Sequence, residues 1–184
     1  MSRVLRRVFV GALLLGLMAG CSAPVQVTAS NRDSSYQGKI TRVLVVTSLQ
    51  VPHLSTLQNE GFVRVSEIRQ ALDATWGPLG IPFEITDRNS MAEATARFAP
   101  QQVLTLSVEG GTLYQGVLDS YTVDAALLDV STDKRIWRTK VLFNSMTESG
   151  RIRHNGFGGS ISHQIDADDL VRTLTEKLKA DRLL

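Results

Sequence analysis

The chain has 184 residues, of which 43% are hydrophobic and 21% charged, with a formal net charge of +2 and a single cysteine. Residues 1–20 hold three of the 20 basic residues and none of the 18 acidic ones, so the remaining chain carries a formal charge of −1. A nearly neutral chain lacks the basic surface that binds nucleic acid, and one cysteine excludes an internal disulfide. The length is sufficient for one hydrophobic core.

The amino terminus is typical of an exported protein. Three arginines precede an uncharged, apolar run that ends at Cys21, and this order of a basic and an apolar region is that of a signal peptide. The run covers 14 residues, 8–21, whereas a helix that spans a bilayer needs about 20. The pattern predicts a signal peptide over residues 1–20 rather than a permanent transmembrane helix.

The end of this run resembles the lipobox of bacterial lipoproteins. Met18-Ala19-Gly20-Cys21 matches the usual Leu-Ala-Gly-Cys, with Met18 in place of the leucine. The resemblance implies cleavage before Cys21 and acylation of Cys21 with palmitate and related chains, several of which anchor a protein stably. Ser22 resembles the residue that follows the cysteine in lipoproteins sorted to the outer membrane, which implies a periplasm-facing anchor in a Gram-negative cell. An ordinary apolar run that happens to contain a small residue is the alternative.

The chain after the cysteine divides into a linker and one domain. Residues 22–38 are rich in serine and small polar residues, which predicts a flexible tether. The domain then covers residues 39–184. Its first segment, residues 40–49, is dense in β-branched residues on both alternating faces, as in a strand buried on both sides.

The following segments alternate between helical and strand spacing. A helix is predicted to end before Gly77, because apolar residues recur at steps of three and four up to that point. A strand over residues 81–87 and a helix over residues 90–99 follow, with Ser90 as the N-cap and Glu93 at the capping-box position. The apolar residues of the first helix are Phe62, Val65, Ile68, Leu72 and Trp76.

Three strands and a last helix complete the predicted domain. Residues 102–108, 120–130 and 135–145 have strand spacing, and Ser, Thr and Asp in residues 131–134 suit a four-residue hairpin loop. The helix covers roughly residues 166–182, with acidic residues in its first turn and basic residues near its last. Both placements complement the helix dipole.

The order β-α-β-α-β-β-β-α predicts an α/β (α+β) fold, with a single mixed sheet of about five strands packed with two or three helices. Residues 39–49, 67–87 and 121–139 resemble the compact α/β domain of envelope lipoproteins and periplasmic proteins. These proteins include the amino-terminal domain of TolB, the curli-secretion lipoprotein family and lipoprotein activators of peptidoglycan synthases. The resemblance implies an accessory role in an envelope complex for transport, secretion or cell-wall synthesis.

A glycine-rich segment, residues 151–164, is a candidate binding site. It contains basic residues and Phe157 just before the last helix, and such loops can hold an anion. The glycine spacing matches neither phosphate-binding motif, and acidic residues follow at the start of the helix. A pliable connector and a contact with a partner protein or lipid headgroups both remain open. The candidate contacts are Arg151, Arg153, His154 and Phe157.

A second candidate patch lies in residues 107–121, where Tyr114 and Tyr121 accompany three glycines. A glycine pair inside a strand pattern indicates a bulge or a long, bent hairpin. Aromatic residues there can contact a partner or pack over the end of the sheet. Trp76 and Trp137 are predicted core residues.

No residues with the spacing of a catalytic or metal site stand out. The three histidines have no metal-ligand spacing, and no G-x-S-x-G motif supports a catalytic triad. We expect no cofactor and a non-catalytic outer-membrane lipoprotein that docks an envelope partner. A small enzyme acting on peptidoglycan or lipid is the alternative, and a carrier of a hydrophobic ligand is the second.

Overall fold

The computed structural model describes residues 25–49, 65–114, 117–144 and 167–184. They form one mixed sheet with the strand order β1-β6-β5-β4-β2-β3, in which β2 is parallel to β3 and β4 and the remaining pairs are antiparallel. The predicted fold class is confirmed, with a sixth strand. The elements are β1 (Val25–Arg32), β2 (Val43–Ser48), α1 (Val65–Trp76), β3 (Phe83–Asp87), α2 (Met91–Phe98), β4 (Gln102–Tyr114), β5 (Val117–Asp129), β6 (Lys134–Asn144) and α3 (Ala167–Ala180).

Among the described residues, no helix is both long and apolar enough to cross a membrane.

The main core lies between one face of the sheet and the helices α1 and α3. Trp76 and Trp137 are each 1% exposed within it, as predicted, and Leu170 and Leu178 of α3 are fully buried. Trp76 meets Phe83 edge to face, with ring centroids 6.1 Å apart. These large side chains fill the space between the sheet and the two helices.

Helix α2 covers only part of the opposite face. Ala94 of α2 packs there against Leu44, Val46 and Val103, a smaller cluster on β2 and β4. Strand β2 therefore has apolar neighbours on both faces, and its first five residues are all buried. This confirms the strand predicted over residues 40–49 to be buried on both sides.

Strand β1 corrects the predicted tether, because residues 25–32 pair antiparallel with β6 from Val25↔Phe143 to Arg32↔Trp137. Six of its eight residues are exposed. Because exposed positions take polar residues, the composition of this strand resembles that of a coil. The strand is stabilised by backbone pairing and by a few polar contacts, such as the bond from Thr139 Oγ1 to the Ala29 carbonyl at 2.9 Å. The sheet thus begins four residues after Cys21.

Two local predictions also differ in detail. Ser90 makes no side-chain cap; its backbone N–H instead donates to the Asp87 carboxylate at 2.8 Å, so a turn formed by the end of β3 replaces the capping box. The hairpin loop lies at residues 130–133, one residue earlier than predicted. Asp129 fixes it by accepting from Ser131 Oγ at 2.6 Å and from the Thr132 N–H at 2.9 Å.

Candidate functional site at one end of the sheet

Four strands contribute to one row of paired residues near the start of β1. Val25 pairs with Phe143, Phe143 with Tyr121, and Tyr121 with Gly111. We call the part of the sheet from this row onward the Val25 end. Strands β4 and β6 run toward it and β1 runs away from it.

The β4–β5 hairpin extends past this row. Leu113 pairs with Leu118 and Tyr114 with Val117 beyond Gly111, and the register shifts between Val108 and Gly110. This irregularity confirms the bulge predicted at the glycine pair. Three further residues at about 3.3 Å each carry the end of the hairpin about 10 Å beyond the row.

Strand β6 leads to the segment that contains the other predicted contacts. The strand ends at the Val25 end, at Asn144, so the chain enters segment 145–166 from that end. Cys21, which precedes the end by four positions, lies outside the described residues. So do Arg151, Arg153, His154 and Phe157.

The two tyrosines predicted as partner contacts occupy different positions. Tyr121 is only 7% exposed and stacks on Phe143 with ring centroids 4.8 Å apart and an angle of 11°. Its ring therefore packs over the end of the sheet, which is the alternative that the sequence left open for these tyrosines. Tyr114 is the last residue of β4 and lies at the end of the hairpin.

The opposite end of β1 is held by Asp181, just after α3. Its carboxylate accepts from Trp137 Nε1 at 2.7 Å, from Lys177 Nζ at 2.7 Å and from Ser30 Oγ at 3.1 Å. Burial alone raises the pKa of Asp181, but the bonds from Lys177 and Trp137 outweigh it, so its pKa lies below the usual value. Arg32 also donates to the Asp181 carbonyl. We call this set of contacts the Asp181 clasp.

The clasp was not among the sites predicted from the sequence. Its one local signal is the spacing of Lys177 and Asp181, four positions apart, which allows an ion pair near a helix end. The contacts from Ser30 and Arg32 come from about 150 residues earlier, and no local pattern indicates them.

Charged residues on the open face of the sheet pair with one another. Arg138 donates to both oxygens of Asp124 at 2.7 and 3.1 Å, which raises the pKa of Arg138, and Lys140 lies 2.6 Å from Glu109. Beside them an open groove of about 410 Å³ runs along β1 and β6. Within the described ranges, no cluster of three or more His, Cys, Asp or Glu residues could hold a metal.

No protein-family model matches the sequence, and no curated protein matches it. Several solved structures are similar, among them a single-residue variant of the PelC dodecamer from Paraburkholderia phytofirmans, with 17% identity, a TM-score of 0.47, and coverage of 85% of this chain and 97% of that one. Lipoprotein GNA1162 from Neisseria meningitidis has 15% identity and a TM-score of 0.39, with 76% and 99% of the chains covered.

The C-terminal domain of LpoB from Salmonella enterica has 19% identity and a TM-score of 0.29, with 58% of this chain and 84% of that one covered. The Neisseria meningitidis neighbour is itself a lipoprotein by name. At these identities the likeness concerns the course of the chain, and the function is argued from the residues of this chain.

Proposed function

We propose that this protein is a non-catalytic lipoprotein, anchored through Cys21 to the periplasmic side of the outer membrane, that docks a protein partner of an envelope complex. The observation that carries the proposal is the position of β1. Its first residue, Val25, already pairs with Phe143 in the sheet, so three residues separate an acylated Cys21 from the folded domain.

The short linker determines where such a domain acts. Four residue steps span at most about 14 Å, whereas a 17-residue tether reaches about 58 Å when extended. A domain on the short linker stays at the membrane surface, and its partner is a component of the same membrane or lies directly on it. This location suits transport, secretion and cell-wall synthesis machines alike.

The proposed partner contacts are Arg151, Arg153, His154 and Phe157. The order of the chain supports treating these four residues as one site, because they belong to segment 145–166, which follows Asn144. Arginine and aromatic residues are the types that contribute most to protein interfaces.

The polar geometry of the described residues suits docking better than catalysis. The strongest polar groups on the open face, Arg138 with Asp124 and Lys140 with Glu109, form ion pairs with each other. Such pairing leaves little capacity to bind and polarise a substrate. A carrier requires a cavity between the sheet and the helices, where Trp76, Trp137 and Leu170 pack.

Labelling with palmitate in intact cells tests the anchor. We expect label in the wild-type protein and none in Cys21→Ser, because the acyl chains are bound through that residue. Equal labelling of both proteins, or of neither, would contradict the anchor.

Photo-crosslinking tests the docking role. A photoreactive residue in place of Phe157 is expected to give one recurrent protein adduct in cells. The same residue in place of Asp73, on the exposed side of α1, is the control and is expected to give none. Failure of the Phe157 position to give a recurrent adduct would count against a protein partner at this segment.

A further inference from the structure

We propose that a surface on the open face of the sheet, at the end opposite to the Val25 end, binds a short extended segment of a partner protein that carries one apolar side chain between two acidic ones. The inference deepens the proposed docking role, on which it rests, and does not depend on the anchor at Cys21. We call this surface the Leu128 surface. Its residues are Arg42, Phe98, Leu128, Val130 and Arg135.

The register of the sheet places the Leu128 surface on two neighbouring rows of one face. Directly paired residues of neighbouring strands share a face, and the first row consists, from β2 to β6, of Leu44, Val103, Leu128 and Arg135. In the second row the Gln101 N–H donates to the Arg42 carbonyl, and the Val130 N–H donates to the Gln101 carbonyl, both at 2.9 Å. The second row lies two positions along the chain from the first, which is the spacing of residues on one face.

Helix α2 leaves the apolar part of this surface open. Phe98 of α2 packs against the cluster that contains Leu44 and Val103, and these two residues are 0% and 3% exposed. Leu128 packs against the same cluster but is only partly buried, and Val130 is 41% exposed. An apolar side chain of a partner that covers Leu128 and Val130 removes apolar area from water, which favours binding.

Two arginines lie on either side of this apolar part. Both are exposed, and among the described residues neither Arg42 nor Arg135 forms an ion pair with an acid. The Arg42 guanidinium lies over the Phe98 ring, 4.4 Å from its centroid. The carboxylate of Asp129, at the base of the neighbouring hairpin loop, already accepts bonds from the loop. The two guanidinium groups are therefore available to carboxylates of a partner, which they bind with charge-assisted hydrogen bonds.

The distance between the two arginines determines the spacing of the acids in the partner. Arg135 lies on β6 and Arg42 just before β2, three strands away in the sheet. With neighbouring strands about 4.8 Å apart and an offset of two residues between the rows, their backbones are about 16 Å apart.

An extended segment matches this distance. It advances about 3.4 Å per residue, so its residues i and i+4 are about 14 Å apart, and the long arginine side chains cover the difference. Residues i, i+2 and i+4 of an extended segment point to the same side. Acids at i and i+4 therefore reach the two arginines while an apolar residue at i+2 covers Leu128 and Val130.

Peptide binding tests this assignment. The probe is a capped fluorescent peptide, Gly-Ser-Glu-Ser-Leu-Ser-Glu-Ser-Gly, and its binding to the full-length protein in detergent micelles is followed by fluorescence anisotropy at low salt. A second peptide carries lysine in place of both glutamates. We expect the lysine peptide to bind at least fivefold more weakly, because it places like charges beside the arginines.

Substitution of the arginines tests their role. Arg42→Gln with Arg135→Gln is expected to weaken binding of the glutamate peptide about tenfold. The matched control, Arg69→Gln with Arg88→Gln, removes the same charge from exposed positions elsewhere in the fold and is expected to weaken binding less than twofold.

Two valines that are both 41% exposed test the apolar contact. Val130→Ser is expected to weaken binding of the glutamate peptide at least threefold, and Val27→Ser, on β1, is expected to leave it unchanged. Circular dichroism and the urea midpoint of each variant confirm that the sheet is intact.

Each outcome separates this inference from the proposed function. Equal binding of the two peptides, equal weakening by the two arginine pairs, or binding unchanged by Val130→Ser overturns the Leu128 surface. Vesicles of phosphatidylglycerol that displace the glutamate peptide from the wild-type protein assign the arginines to lipid and also overturn it. A recurrent adduct at Phe157 without peptide binding contradicts this inference alone, whereas peptide binding without that adduct contradicts only the proposed contacts at residues 151–157.

Discussion

Two buried tryptophans show how single polar contacts fix this fold. Trp76 Nε1 donates to Thr175 Oγ1 at 2.9 Å, which joins α1 to α3, and Trp137 Nε1 donates to Asp181, which joins β6 to the end of α3. A buried indole N–H without an acceptor costs about 1–3 kcal/mol. Each tryptophan therefore depends on a different polar acceptor in or just after α3: Trp76 on Thr175, and Trp137 on Asp181.

Thr175→Val tests the first contact. The substitution keeps the shape of the side chain but removes the acceptor of the Trp76 N–H, so we expect the free energy of unfolding to fall by about 1–3 kcal/mol in urea unfolding followed by tryptophan fluorescence. Thr95→Val in α2 is the control, because its hydroxyl donates only to the Met91 carbonyl four residues earlier. A loss for Thr175→Val no larger than for Thr95→Val would contradict the role of the contact.

Asp181→Asn tests the Asp181 clasp through its pH dependence. Because the pKa of Asp181 is lowered from its ordinary value of 3.8 in the folded protein, its stabilisation is complete above that value and is lost as the pH falls through the folded pKa. We expect the variant to be less stable by about 1–2 kcal/mol at pH 7, and the difference to shrink below about pH 3.8. A difference that stays constant from pH 7 to pH 2.5 would exclude the titration of Asp181 as its cause, and Asp73→Asn serves as the exposed control.

At the scale of elements, β1 differs from the other strands in how it is stabilised. It lies at the edge of the sheet and contributes little to the core, where Val25 is its one partly buried residue in contact with the main cluster. Its stability comes from the pairing with β6 and from the Asp181 clasp. The same strand connects the domain to the proposed anchor, so its attachment determines how far the domain stands from the membrane.

Removal of β1 tests this description. We compare a chain that begins at Asp33 with one that begins at Ser22, and we expect the shorter chain to fold cooperatively with a lower urea midpoint, because the core residues remain. Loss of β1 also leaves β6 as an unpaired edge, which favours self-association detectable by light scattering. Equal midpoints for the two chains would show that β1 does not stabilise the sheet.

For the whole molecule, the charge distribution predicts how the protein is held at a membrane. The chain after residue 20 has a formal charge of −1, and the main charged groups of the open face pair internally. Attraction to an anionic lipid surface is therefore weak. The acyl chains supply the proposed binding.

Flotation of the acylated protein with vesicles tests this prediction. We expect the bound fraction to be unchanged between 0.05 and 1 M NaCl, because salt at about 1 M screens charges beyond about 3 Å but leaves apolar burial intact. A basic peptide of equal initial affinity, released by the same salt, is the control. Release of the acylated protein at high salt would show that charge, and not lipid burial, holds it.

The burial of elements with a regular spacing of apolar residues was predicted correctly from the sequence. Residues 40–49 and the spacing of Ile68, Leu72 and Trp76 indicate their burial directly, because each apolar residue reaches the core from its own element. The bulge at Gly110 is also local, since glycine lowers the cost of an irregular backbone. The predicted site at Cys21 and at residues 151–157 remains a prediction.

The fold class, the buried faces of the main elements and the resemblance of residues 18–21 to a lipobox all follow from local sequence patterns. Three-dimensional contacts were needed to establish that residues 25–32 belong to the sheet, that Tyr121 is buried, and that β1 starts at the end of the sheet where β4 and β6 end. This difference arises because β1 is stabilised by hydrogen bonds to its backbone and by a carboxylate more than 100 residues away. Such contacts produce no repeating pattern in the sequence, whereas the burial of apolar side chains produces a regular spacing of apolar residues.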